Sequence, residues 1–300
     1  MPATTRKRAI PAIARFTSQA MHTAEDSISN RDYERLIKLI YEETGICLGK
    51  GKRTMLEGRI RRRLKDLSIS GYDKYCDYLF SRSTQDDELV QLIDVVTTNK
   101  TDFFREPGHF EFLTQQVLPV LDGRDRRPVT LWSAGCSSGE EPYTLAMVLS
   151  EYALAHPGFR FRILATDIST TVLNKAQLGI YASDLARPIP AALRTRYLMR
   201  SKEPGSSRVR VIPELRRAIE FQRLNFMDPS YDIPPAVDVI FCRNVIIYFD
   251  RQTQQQILSK LTRHLAPGGF LFVGHAETLH ELCLPLTPVA PALYQRTGHD

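Results

Sequence analysis

From residue 128 onward, short apolar runs alternate with helical stretches, and this alternation restricts the fold more than any other feature of the chain. Residues 128–133, 161–166, 237–241 and 269–273 read as strands, and helical patterns lie between them at 141–155, 170–178 and 251–265. Strands separated by helices need crossover connections, so the pattern implies an α/β fold with a mostly parallel sheet covered on both faces. In an open sheet of this kind, ligands gather beyond the carboxyl ends of the strands. One stretch breaks the alternation. Residues 193–222 carry two β-like runs, 208–212 and 218–221, separated by turn residues, and read as a small antiparallel β insertion.

Upstream the periodicity is helical. Tyr33, Leu36, Ile37 and Ile40 recur three and four residues apart, as do Leu56, Ile60, Leu64 and Leu67, and then Leu89, Leu92, Ile93 and Val96. The expected organisation is a disordered tail over 1–28, an all-helical domain over 29–105, a linker helix over 106–122 and an α/β domain over 123–300. No apolar run reaches the roughly 20 residues a membrane span needs. The five cysteines are scattered and form no CxxC pair, which fits a reducing cytoplasm. The net charge of +6 favours an acidic partner without choosing among nucleic acid, anionic membrane and carboxylate-rich protein.

Three loops at strand ends carry candidate site residues. After the first strand comes Ala134-Gly-Cys-Ser-Ser-Gly-Glu140. Its two glycines let the backbone pass close to a ligand, but the loop is not a GxGxxG phosphate fingerprint, and Glu140 with Glu141 suits a cationic ammonium group. Asp167 ends the second strand, where an acid can accept hydrogen bonds from a ribose diol; the plainer alternative is a helix cap. Arg243 and Asn244 follow the strand at 237–241 and make poor core residues. No Ser/His/Asp or Cys/His constellation is evident. His109 and His275 lack a metal-ligand partner at helical spacing and read as structural, so no metal is expected.

With these blocks in view, the chain resembles the CheR family of chemotaxis receptor methyltransferases. The resemblance rests on residues 98–105 (TNKTDFFR), 132–143 (WSAGCSSGEEPY), 165–168 (ATDI), 240–249 (IFCRNVIIYF) and 269–277 (GFLFVGHAE), which occur in family order. It implies a Rossmann-like S-adenosylmethionine methyltransferase sheet with a small antiparallel β insertion, behind an all-helical N-terminal domain that docks the substrate. It implies transfer of a methyl group from S-adenosyl-L-methionine to receptor glutamate carboxylates, leaving S-adenosyl-L-homocysteine. Asn99, Thr101 and Arg105 match the segment that closes over the cofactor, Glu140 the acid facing the methionine amino group, and Asp167 the ribose acid. Asn225 and Phe226 match the pair beside the adenine, where the family usually has Asn-Leu. Arg243 and Asn244 match the family Arg-Asn pair, and Tyr248 the tyrosine near the transferred methyl group.

A glutamate carboxylate has a reference pKa near ~4.3 and needs no general base, so the work is positioning and exclusion of water. Arg105 and Tyr248 are the expected catalytic residues, orienting the carboxylate rather than moving protons. Arg59, Arg61, Arg62 and Lys65 are expected to form a basic docking face on the second helix, with Arg63 snorkelling at its apolar edge. The expected partner is the cytoplasmic domain of methyl-accepting chemotaxis receptors, bound by a monomer. Nucleic acid is disfavoured because no aromatics interleave with the basic residues. A nucleotide-dependent oxidoreductase, a methyltransferase for another protein substrate and a receptor-binding module with an inactive cofactor site are the rival readings.

Overall fold

The computed structural model describes residues 27–81, 85–123 and 127–298. Helices α1 (Asn30–Thr44), α2 (Arg53–Leu67), α3 (Tyr72–Leu79) and α4 (Gln85–Val96) form the N-terminal part. Ser29 opens α1 by accepting the Asp32 N–H at 3.1 Å, and Gly45 closes it in the left-handed conformation. The apolar stripes seen in the sequence converge on one core, with Leu36, Ile40, Leu56, Ile60, Leu79 and Leu92 wholly shielded. Within this core Arg63 grips Glu88 through Nε at 3.1 Å and Nη2 at 2.6 Å, and Tyr75 donates to the same carboxylate at 3.0 Å.

Of the expected tail, residues 1–26 lie outside the described residues. Its boundary at 28 needs correction: Ile28 is buried in the helical core and its N–H donates to Glu57 at 3.0 Å. An apolar side chain next to a helix start gains more from burial than the polar character of its neighbours can offset.

A connecting segment of α5 (Gly108–Phe112), one wide π turn (Leu113–Val117) and α6 (Leu118–Asp122) leads to the sheet. There follow β1 (Val129–Ala134), α7 (Glu140–Ala155), β2 (Phe161–Asp167), α8 (Thr170–Leu178), β3 (Ile180–Ala182), α9 (Ala191–Tyr197), β4 (Leu198–Arg200), β5 (Arg208–Val211), α10 (Pro213–Arg217) and β6 (Ile219–Arg223). The chain continues through β7 (Val237–Cys242), a 3-10 turn (Ile246–Tyr248), α11 (Arg251–His264), β8 (Leu265–Val273), β9 (Leu286–Ala290) and β10 (Leu293–Arg296). The large sheet has the order β6-β2-β1-β7-β8-β10-β9, parallel through β8 and antiparallel at the β8-β10-β9 edge. All six residues of β1 and of β7 are buried, as expected for central strands covered on both faces.

Two features differ from the expectation. The antiparallel insertion is not residues 193–222: it is the sheet β3-β5-β4, starting at Ile180 and ending at Val211, while β6 pairs in parallel with β2 as the edge of the large sheet. Short β-prone runs look alike in either role, and only the partner strand decides. The C-terminal β9–β10 hairpin also escaped the sequence reading, because Pro288 argues against a strand; β9 is an edge strand, where a missing N–H is tolerated. Among the described residues, no helix is long and apolar enough to cross a membrane.

Candidate active site

A cavity of about 300 Å³ lies between the helical part and the carboxyl ends of β1, β2 and β7. Its floor is the β1–α7 loop (Gly135, Ser137), Glu141 in the first turn of α7, Asp167, and the loops carrying Asn225–Phe226 and Arg243–Phe249. Its roof is the segment Val96–Arg105 with Thr44–Leu48, Lys52 and Met55. Of the residues singled out in the sequence, Asn99, Thr101, Arg105, Asp167, Asn225, Phe226, Arg243, Asn244 and Tyr248 line this one cavity.

The floor loop passes close to neighbouring chain. Gly135 has φ +86°, and a Cβ there would stand 2.5 Å from Val245 Cγ2. Four residues without this freedom, Phe104, Glu106, Ser137 and Asn244, also hold positive φ at or beside the cavity. Strained backbone of this kind persists where the surroundings over-determine it, typically around ligand sites. Ser137 donates its N–H to Asp167 Oδ2 at 2.8 Å and its hydroxyl to the Asn99 carbonyl at 2.9 Å, so one residue joins roof, loop and strand end.

Asp167 is 9% exposed, and its Oδ1 also accepts the Ser169 N–H at 2.9 Å. Burial pushes its carboxyl above the usual range, with these N–H groups opposing. A carboxylate offers about four acceptor directions, so capacity remains for a ligand. At the start of α7 the two acids part company, because successive helical residues point in different directions. Glu141 is on the cavity wall, accepts from Ser133 Oγ at 2.7 Å and lies 3.6 Å from Arg243 Nη1. Glu140 is 4% exposed, accepts from Ser138 Oγ at 2.7 Å and is not among the lining residues. Burial pushes both carboxyls up.

Arg243 is a buried cation with a 1% exposed side chain. Its Nη2 donates to the Arg105 carbonyl and lies 3.2 Å from Glu106, so it ties the roof to the strand end. Arg105 itself is half-buried, and its side chain donates to the Lys100 carbonyl at 3.2 Å. Asn225 reaches the helical part, donating to the Glu43 carbonyl at 2.6 Å, and Phe226 packs against Tyr231 and Phe249. Further ties between the helical part and the sheet part are Tyr41 to Asp250 at 2.6 Å, the Cys47 N–H to the Tyr248 carbonyl at 2.9 Å, and Asp94, which accepts from Thr170 Oγ1 and Thr171 Oγ1 at 2.8 Å each.

Sequence reasoning missed Glu277. This 7% exposed carboxylate accepts N–H groups from Asn244 at 2.8 Å, Ile246 at 2.8 Å and Gly274 at 2.6 Å, and thereby shapes the loop that presents Asn244 and Tyr248. Burial pushes its carboxyl up against those N–H groups. It stands within the block at 269–277, which was the available signal, but nothing local tells that Asn244 and Ile246, some thirty residues earlier, are its partners.

Two expectations about charge and histidine change. Arg59 is not part of an exposed docking face. It flanks the apolar stripe of α2 and turns back to donate to the carbonyls of Val96 and Thr97 and, at 2.9 Å, to Thr98 Oγ1, fastening α2 to the roof. Arg61, Arg62 and Lys65 are exposed. His109 and His275 are not isolated: their rings meet edge to face at 4.8 Å, with Glu106 beside them. Glu106 sits three residues before His109, a spacing overlooked because His275 comes from another strand end.

Residues 31–97 match the family model described as "CheR methyltransferase, all-alpha domain", and residues 99–288 match "CheR methyltransferase, SAM binding domain". A "Chemotaxis protein methyltransferase" of Borreliella burgdorferi is 37% identical over 286 residues, covering 93% of this chain and 99% of that one. A protein of the same name from Escherichia coli is 39% identical over 259 residues, covering 85% and 87%. The all-alpha match falls on the helices α1 to α4 and the SAM binding match on the cavity-bearing sheet part, and the chain belongs to the CheR methyltransferase family, whose catalytic domain binds S-adenosylmethionine.

Proposed function

We propose that the protein methylates glutamate side chains of chemotaxis receptors, using S-adenosylmethionine bound in the cavity between roof and sheet. The observation that carries this reading is the convergence of Asp167, Glu141, Asn225, Phe226, Arg105 and Tyr248 on a single cavity. The donor set fits the cofactor: a carboxylate with spare acceptor directions for a diol, acids at the α7 start for an ammonium, and an amide beside an apolar ring for a purine.

Bound S-adenosylmethionine supplies an electrophilic methyl group on a sulfonium. The residues of this chain supply the rest. Asp167 orients the ribose. The α7 acids hold the amino group, with Glu141 on the wall and Glu140 behind it. Asn225 and Phe226 flank the adenine. Arg243 and Asn244 would stabilise the cavity-floor loop against which the cofactor binds, Arg243 through Arg105 and Glu106, Asn244 through Glu277. Asn99 and Thr101 close the roof.

The incoming glutamate arrives ionised, so the site needs a guide rather than a base. Arg105, on the cavity wall, grips one carboxylate oxygen and leaves the other to face the methyl group, and Tyr248 confines the approach. Anion and cation become neutral products, so the roof assists by excluding water. Arg61, Arg62 and Lys65 offer the receptor's acidic surface a basic face on α2. The setting is the cytoplasm, where receptors present that surface.

Calorimetric titration of S-adenosylhomocysteine, with a radiolabelled methyl-transfer assay on receptor cytoplasmic fragments, tests the reading. Binding together with base-labile methyl ester formation is the expected result. Cofactor binding with label on nitrogen, or with none on receptor, would remove the glutamate assignment. In the same titration Glu141→Gln should weaken binding more than Glu140→Gln; the reverse order would reassign the ammonium partner.

A further inference from the structure

We propose that Glu106, His109 and His275 bind a divalent transition-metal ion of the zinc class, and that the ion draws Glu106 away from Arg243. The potential ligand atoms of these three residues all lie within 4.8 Å of one another. Ligands on a tetrahedral zinc, each about 2.0–2.2 Å from the metal, stand roughly 3.4 Å apart, so closing these atoms by up to about 1.4 Å brings all three onto one ion, with water in the fourth position. Two imidazoles and one carboxylate form a donor set suited to zinc, cobalt or nickel, and not to magnesium or calcium, which prefer oxygen alone.

His109 is the strongest sign. It is 5% exposed, and neither ring nitrogen has a hydrogen-bond partner. Buried imidazoles ordinarily satisfy their nitrogens, since an orphaned buried polar group costs roughly 1–3 kcal/mol. Nδ1 stands 3.4 Å from Glu106 Oε2, too long and too loosely placed to count as satisfied.

Glu106 is similarly under-committed. Its contacts are Arg243 Nη2 at 3.2 Å, the His275 N–H at 3.3 Å and Asn244 Nδ2 at 3.5 Å. A carboxylate held this loosely can turn toward an ion at modest cost. His275 is exposed at the end of β8, which provides both an entry path and room for the ring to swing inward. The ion would join Glu106, before α5, and His109, within it, to His275 just after β8, where His109 already meets Phe272 and His275 edge to face.

Arg243 sets the affinity and the consequence. Its guanidinium repels a nearby cation, so binding should be weaker than at a dedicated structural zinc site. Losing Glu106 leaves Arg243 with Glu141 and the Arg105 carbonyl, and both belong to the cavity wall or its roof. Metal binding therefore opposes cofactor binding. This second half rests on the methyltransferase reading of the cavity; the metal site itself does not.

The test titrates Co²⁺ into tag-free full-length protein by visible absorption, with Zn²⁺ as competitor, for the wild type, His275→Ala and Glu106→Gln. One ion per wild-type chain, with at least roughly a tenfold loss of affinity in both variants, is the expected result. A wild type that binds neither ion, or binds them no better than His275→Ala, overturns the site. In metal-free buffer His275→Ala should keep wild-type circular dichroism and wild-type affinity for S-adenosylhomocysteine. Saturating Zn²⁺ should then weaken S-adenosylhomocysteine binding several-fold in the wild type and leave His275→Ala unaffected; equal affinity with and without Zn²⁺ overturns the coupling. Failure of the wild type to bind S-adenosylhomocysteine in metal-free buffer would count against the cavity reading, and the Co²⁺ titration would still decide the metal site.

Discussion

The helical part and the sheet part both bury charge, but they treat it in opposite ways. In the helical core Glu88 receives two guanidinium N–H groups from Arg63 and the Tyr75 hydroxyl, all at 3.1 Å or less. All three donors belong to the helical part, and Glu88 does not line the cavity. Around the cavity, Arg243 faces Glu106 at 3.2 Å and Glu141 at 3.6 Å, and its Nε and Nη1 lack hydrogen-bond partners. Asp167 is a buried carboxylate pushed up by burial against backbone N–H groups, and half-buried Glu141 is pushed up by burial against Arg243 and the Ser133 hydroxyl. A completed network holds a fold; an incomplete one with spare donors and acceptors is poised to take a ligand.

The sharpest way to break this comparison is Glu88→Ala. Removing one member of a buried pair strands Arg63 and should cost about 3–5 kcal/mol of stability, read by denaturant unfolding. Cofactor affinity of the remaining folded protein should be unchanged; a large affinity loss would mean the helical network reaches into the site. Asp167→Ala should show the reverse pattern. Loss of charge-assisted hydrogen bonds to a bound diol is worth about 1.5–3 kcal/mol, on the order of 100-fold in affinity, with a smaller change in unfolding midpoint. Unaltered binding would remove Asp167 from the site.

Glu277→Gln lies between the two. It turns an acceptor into a donor facing N–H groups, at a cost of about 1–3 kcal/mol, and it should lower methyl transfer by disordering the Asn244–Tyr248 loop. Wild-type turnover in this variant would show that the loop shape is set elsewhere.

The smallest effect is expected at an exposed tie between the helical part and the sheet part. Tyr41→Phe removes the hydroxyl that donates to Asp250, worth about 1 kcal/mol or less, and should speed cofactor release in stopped-flow measurements. The Tyr41 hydroxyl and the Thr253 N–H hold the Asp250 carboxyl below its usual range. A depressed folded pKa adds stability that is fully present above the ordinary aspartate value of ~3.9 and is lost as pH falls through the lower folded value. Acid unfolding of Tyr41→Phe should therefore shift to higher pH. An unchanged acid midpoint would show that the contact contributes nothing in solution.

The parts of this molecule legible in the sequence are those governed by short-range rules. Apolar spacing at three and four residues marked α1 and α2, and short apolar runs marked β1, β2, β7 and β8. The rule that open sheets bind ligands beyond their strand ends then turned Asp167, Arg243 and Asn244 into site candidates, and all three line the cavity. The resemblance to a family added the roof residues, which no local rule would have placed over the sheet.

What only the tertiary structure decided depends on partners distant in sequence. β6 belongs to the large sheet because β2 pairs with it, and β9 is a strand because β10 covers one of its edges. Arg59 faces inward because the carbonyls of Val96 and Thr97 come within its reach. Glu141 rather than Glu140 meets the cavity because of the angle at which α7 leaves its loop. Glu106, His109 and His275 meet although 166 residues separate the last two, by their numbers in the chain. Periodicity records which face of an element is apolar, since burial acts on each residue in turn. It carries no record of which distant polar group will stand opposite, because that depends on how the elements pack.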